Sequence, residues 1–129
     1  MKLKVATCQF PVEADIGQNL GYVLQQMKSA KRRDAHVAHF SEVCLPGYAG
    51  VDIKSMQGFD WDQLQEAHQQ VANLAKELKL WVVVGSAHRL SGHHKPHNSL
   101  YIIDASGRLV DRYDKMFCTG NRSGKSGDL

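Results

Sequence analysis

His36-Val37-Ala38-His39-Phe40-Ser41-Glu42-Val43-Cys44-Leu45-Pro46-Gly47-Tyr48 is the stretch from which the rest of the chain can be laid out. Val37 to Phe40 is a short β-prone run, and Pro46 and Gly47 punctuate a loop just after it, so Glu42 is delivered at the end of a strand. In α/β proteins the ends of strands carry the chemistry. Glu42 is also the only acid between Asp34 and Asp52. An isolated carboxylate beside apolar neighbours suits a general base. It also suits a hydrogen-bonded loop residue, and this stretch by itself favours that reading, because structural networks perturb carboxylates too. His36 and His39 share no simple metal geometry with Glu42 and read as ordinary polar residues.

Toward the N-terminus, Lys2 to Gln9 alternates, with Leu3, Val5 and Thr7 on one side and Lys4, Ala6 and Cys8 on the other, as in a first strand. Leu20, Val23, Leu24, Met27 and Ala30 then recur at spacings of three and four, an amphipathic helix with Asp15 as its candidate cap. Beyond the central stretch, Leu45 to Gly58 is a glycine-punctuated loop of the kind that borders a site, with Tyr48 a candidate wall. Asp60 or Asp62 opens a second helix, with Leu64, Ala67, Val71, Leu74, Ala75 and Leu78 on its apolar face. The run from Leu80 to Gly85 is rich in β-branched residues and reads as a strand covered on both faces. Polar residues from Ser91 to His97 lead to a strand at 99–104, and a turn at Ala105-Ser106-Gly107 leads to another at 108–113. Strand, helix, strand, helix and three strands, the last two antiparallel, make an α/β arrangement with a mixed β-sheet and helices on one face.

The composition bounds what such a chain does. With 129 residues, 43% hydrophobic and 22% charged, it reads as one globular domain. No apolar run approaches the roughly 20 residues that span a bilayer, and Gln9 and Glu13 break up any signal-peptide core. No membrane partner is expected, and the default location is cytoplasmic. The net charge of +3 is concentrated in Lys28, Lys31, Arg32 and Arg33. These belong at a helix C-terminus, with no stacking aromatics interleaved, so nucleic acid is not an expected partner. The three cysteines, Cys8, Cys44 and Cys118, are widely spaced and read as free thiols, two of them buried.

Alternation along the last strand puts Leu109, Asp111, Tyr113 and Lys115 on one side, so Lys115 also lies at a strand end. A strand-end ammonium beside a strand-end carboxylate makes a plausible pair, whereas most lysines simply face solvent. Two other motifs lead to weaker readings. Gly120 to Ser126 resembles a phosphate-binding loop, but its glycines have three residues between them where the pattern needs four. His88, His93, His94 and His97 could gather a metal, yet they lie around a polar turn with no cysteine or carboxylate at ligand spacing, so no metal is assigned.

Taken together, Lys4 to Phe10, Asn19, Phe40-Ser41-Glu42 with Pro46-Gly47-Tyr48, Val84-Gly85-Ser86, Asn98-Ser99-Leu100-Tyr101, and Gly107 leading to Tyr113-Asp114-Lys115 resemble the N-terminal half of the nitrilase superfamily, the carbon-nitrogen hydrolases. The resemblance is collinear along nearly the whole chain. It implies half of an αββα sandwich and a Glu-Lys-Cys mechanism passing through a thioester, with Glu42 as base and acid and Lys115 as the fixed cation. It further implies a small-molecule amide, N-carbamoyl or nitrile substrate, no cofactor, and assembly as a homo-oligomer. Asp114-Lys115-Met116-Phe117 looks more like the amidase-type branches than like true nitrilases. Ser41 stands where many members have proline, and a hydroxyl there can hydrogen-bond Glu42 and lower its basicity. In the family the nucleophilic cysteine follows the lysine by several tens of residues, a position beyond Leu129, so none of Cys8, Cys44 and Cys118 takes that role. The chain is therefore read as a partial domain, inactive alone and prone to self-association, with a non-catalytic interaction fragment as the alternative.

Overall fold

The computed structural model describes residues 1–117. Strands β1 (Val5–Cys8), β2 (Val37–Phe40), β3 (Trp81–His88), β4 (His97–Ile103) and β5 (Leu109–Asp114) form one sheet in chain order. Helix α1 (Ile16–Arg32) joins β1 to β2, and α2 (Trp61–Leu78) lies between β2 and β3. A crossover through a helix returns the chain in the same direction, so β1, β2 and β3 pair in parallel. The short connections that follow reverse it, and both β3–β4 and β4–β5 are antiparallel.

Each helix starts where an aspartate satisfies an otherwise unpaired backbone donor. Asp15 accepts from the Gln18 N–H at 3.0 Å and Asp60 from the Gln63 N–H at 2.9 Å. Lys31 and Arg32 occupy the last turn of α1, where cations meet the helix dipole. The helices pack on each other and bury Leu20, Val23, Met27, Leu64, Val71 and Leu74 against one face of the sheet. That face consists of the alternate residues Ala38, Phe40, Val82, Val84, Tyr101 and Ile103.

No described helix covers the other face. Trp81 is 42% exposed and Tyr113 54%, and Val83 is half-buried. This corrects the expectation that the 80–85 run is covered on both sides. With both helices on one side, period-two alternation leaves Trp81 and Val83 on the open face. Strand β4 ends at Ile103, because Asp104 leaves the ladder to close the turn. Its carboxylate accepts from the Ser106 N–H at 2.8 Å, the Ser106 hydroxyl at 2.6 Å and the Arg108 N–H at 3.1 Å. No helix among the described residues is long and apolar enough to cross a membrane.

Candidate active site

Immediately after β2 the chain turns across the neighbouring parallel strand, at a point where a side chain would block it. A Cβ on Gly85 of β3 would lie 2.0 Å from the Ser41 carbonyl oxygen and 2.5 Å from the Val43 nitrogen. Glycine within a strand marks such a close approach of backbone. Val43 has φ +43°, a conformation a β-branched residue rarely adopts, and its side chain is buried. The Gly47 N–H closes the turn onto the Val43 carbonyl at 2.9 Å, and the Leu45 N–H donates to the Gly85 carbonyl at 3.2 Å. From α1, the fully buried Asn19 donates to the Leu45 carbonyl at 3.0 Å and the Glu13 carbonyl at 2.8 Å, and accepts from the Glu13 N–H at 2.9 Å. Core, helix and sheet thus all grip the segment that carries Glu42.

Glu42 projects to the open face of the sheet, where Lys115 arrives from the end of β5. The Lys115 Nζ donates to Glu42 Oε2 at 2.9 Å, and Asn98 Nδ2 donates to the same oxygen at 3.0 Å. The Lys115 N–H in turn donates to the Asn98 carbonyl at 2.8 Å. The ammonium holds the Glu42 carboxyl below its usual range; partial desolvation works against this, and the Asn98 amide adds to it. Glu42 is consequently ionised at neutral pH, ready to accept a proton. The pair lies in a cavity of about 300 Å³ lined also by His39, Phe40, Ser41, Leu100 and Tyr113.

Of the three residues singled out for the site, then, the fold brings two together. Tyr48 does not line this cavity. Past Gly47, at φ +84°, the chain curls on itself, and the Tyr48 N–H donates to Asp52 at 2.7 Å while its carbonyl accepts from Val51, Asp52 and Ile53. The loop it begins borders instead a separate cleft of about 510 Å³ between the helix N-termini, lined by Ile53, Ser55, Gln57 and Gly58 with Asp15 and Asp60. Ser41 also departs from expectation: among the described residues its hydroxyl makes no bond to Glu42, whose partners are Lys115 and Asn98. Sequence reasoning gave no role to Asn98, Gly85 or His39. Only Gly85 carried a local signal, as the glycine interrupting a β-branched run.

The thiols described are poor nucleophiles. Burial pushes Cys44 up to about 12 and also raises Cys8, and both side chains are buried. Cys118 and the Gly120–Ser126 motif lie outside the described residues. His88 and His97 face each other across the β3–β4 ladder. His88 bonds the Tyr101 hydroxyl at 2.8 Å and also meets Arg112. His97 Nδ1 lies 3.2 Å from Asp114 Oδ2, within ion-pair range but not aligned as a hydrogen bond. Desolvation would raise Asp114, but hydrogen bonds from Ser99 and Arg112 and the contact with His97 hold it at about 2. Among the described residues no group of three or more His, Cys, Asp or Glu could hold a metal ion.

Comparison with known proteins gives this geometry a context. The carbon-nitrogen hydrolase family profile matches residues 4–123. A "hydrolase in agr operon" from Staphylococcus lugdunensis is 29% identical over 86 residues, which are 65% of this chain and 34% of that protein. The fold matches that of an amidase from Nesterenkonia sp. with a TM-score of 0.81 at 17% identity, covering 98% of this chain and 47% of the amidase. A mutant of that amidase in complex with butyramide matches at TM-score 0.81 and 18% identity, over 92% of this chain and 45% of the other. The chain thus spans about a third of the curated relative and about half of the solved amidases.

Proposed function

Because the chain belongs to the carbon-nitrogen hydrolase family, we propose that Glu42 and Lys115 are two of the catalytic groups of an enzyme that hydrolyses non-peptide carbon-nitrogen bonds in small amides, N-carbamoyl compounds or nitriles. The observation that carries this reading is the 2.9 Å contact of the Lys115 ammonium with the Glu42 carboxylate inside a cavity. In this reading the third group is a nucleophilic cysteine, a role that the buried thiols Cys8 and Cys44 do not fit.

On an amide, Glu42 takes the thiol proton as sulfur attacks the carbonyl carbon, and the negative charge that develops on oxygen is stabilised by Lys115. The protonated Glu42 then gives its proton to the departing nitrogen. Ammonia leaves, and a thioester remains. Glu42 next removes a proton from water, which attacks the thioester. The acid is released, and the thiol recovers its proton. No cofactor is required at any step. The butyramide bound by the Nesterenkonia amidase mutant makes short primary amides the first substrates to try. The reading extends to a homo-oligomer in the cytoplasm, whose reducing conditions suit the free thiols Cys8 and Cys44.

Ammonia release from butyramide, an N-carbamoyl amino acid and a nitrile tests the proposal. Turnover is expected from a polypeptide extended through the nucleophile, but not from the 129-residue chain alone. Glu42→Gln and Lys115→Met in the extended form should each abolish it. Undiminished turnover in either variant would overturn the assignment.

A further inference from the structure

We infer that Asn98 is a positioning residue of the proposed site: together with Lys115 it clamps one oxygen of the Glu42 carboxylate and leaves the other, Oε1, as the oxygen through which protons pass. The inference rests on the reading of Glu42 as base and acid, and it assigns that role to a particular oxygen.

Asn98 is 2% exposed at the start of β4, and both of its polar ends are used by the site. Its amide donates to Glu42 Oε2 at 3.0 Å, and its main-chain carbonyl accepts the Lys115 N–H at 2.8 Å. One residue therefore sets the carboxylate directly and sets the lysine through its backbone. The next residue secures the same junction from the opposite face of the sheet, with the Ser99 hydroxyl donating to Asp114 at 2.6 Å. Both donors to Glu42 converge on Oε2, and among the described residues none reaches Oε1.

This asymmetry suits a group that must be base and acid in turn. When Oε1 takes a proton, the carbon-oxygen bonds redistribute and Oε2 becomes a carbonyl-like acceptor, so both donors keep their partner in either protonation state. Oε2 already accepts two donors, so a proton arriving there would have to displace one of them, whereas Oε1 can take it without loss. An amide is also the right chemistry for the clamp, because its N–H groups donate and it neither takes up nor releases a proton near neutral pH.

The test follows Glu42 and its neighbour by NMR in the 129-residue chain, so no turnover is needed. The midpoint of the Glu42 carboxyl carbon titration should move upward in Asn98→Leu and in Asn98→Ser, whose hydroxyl cannot span the gap. In the unsubstituted chain, the side-chain amide nitrogen of Asn98 should titrate with the Glu42 midpoint, a readout that survives if neither variant folds. A residue that merely filled space would lower the melting temperature, leave the Glu42 midpoint unmoved in both variants and show no titration of its own amide at that midpoint, and that result overturns the clamp. An upward shift supports it even if ammonia release survives Glu42→Gln, an outcome that would remove only the reading the clamp serves.

Discussion

The carbonyl oxygen of Ser41 sits 2.0 Å from where a Cβ on Gly85 would be, so the turn that carries Glu42 exists only because β3 has no side chain at that point. Gly85→Ala should push the 41–43 backbone off the sheet and break the contact of Glu42 with Lys115. The obstructing atoms are backbone and cannot swing aside, so the loss should be at least the 1–3 kcal/mol or so typical of overpacking. Urea unfolding of the variant would measure it, and the lost coupling would appear as a Glu42 titration no longer sensitive to Lys115→Met.

Asn19 holds the same turn from the side of α1. Asn19→Ala would strip the buried Leu45 carbonyl and the Glu13 backbone of their partners. Buried polar groups left unmatched cost about 1–3 kcal/mol each. The variant should melt well below the parent, and amide exchange should quicken at Gly47, whose N–H closes the turn, and at Leu45, whose N–H ties it to Gly85.

Glu42 should leave a signature in acid. Its carboxyl is lowered in the folded state, chiefly by the hydrogen bond from Lys115. The stability this contributes is therefore present above the unfolded-state value and is lost as pH falls through the lower folded one. Lys115→Met should flatten that part of the stability curve below about pH 4.5. The Glu42 side chain is 49% exposed, so the change will be modest and will shrink further in high salt. Denaturant melts between pH 2 and pH 6 at two salt concentrations would register both effects.

His68 acts in a different pH window. Burial, helped by nearby His88, lowers it to about 4, and its Nε2 is 2.6 Å from the Ser86 hydroxyl between α2 and the sheet. The unfolded chain takes up this proton near pH 6.5 and the folded one does not until near pH 4, so stability should decline as pH falls across that interval. At one pKa unit per 1.36 kcal/mol, the decline is at most about 3 kcal/mol. His68→Gln keeps a hydrogen-bonding group facing Ser86 and should remove the decline, as chemical denaturation at pH 7 and pH 4.5 would reveal.

Much of the architecture was legible along the chain, for local reasons. Apolar residues at helical spacing mark α1 and α2 because a helix presents one stripe to a core, and Asp15 and Asp60 mark their starts because a helix leaves its first donors unpaired. Less of the site was legible. The loop from Leu45 to Gly58 makes Tyr48 a candidate wall, yet among the described residues Tyr48 does not line the cavity of Glu42 and Lys115, because the chain curls on itself past Gly47. Asn98 carries no local signal, because its partner Glu42 is 56 residues away and no spacing rule connects them.

The amino-acid sequence by itself determined the order and type of the elements, the helix caps, and the delivery of Glu42 and Lys115 to the ends of two strands, all consequences of periodicity and of backbone groups seeking nearby partners. The tertiary structure alone decided that those two strand ends meet, that Asn98 stands between them, that Gly85 makes room for the turn, and that both described helices lie on the same face of the sheet. These depend on strand order and register, which join residues by hydrogen bonds across the sheet irrespective of their separation along the chain.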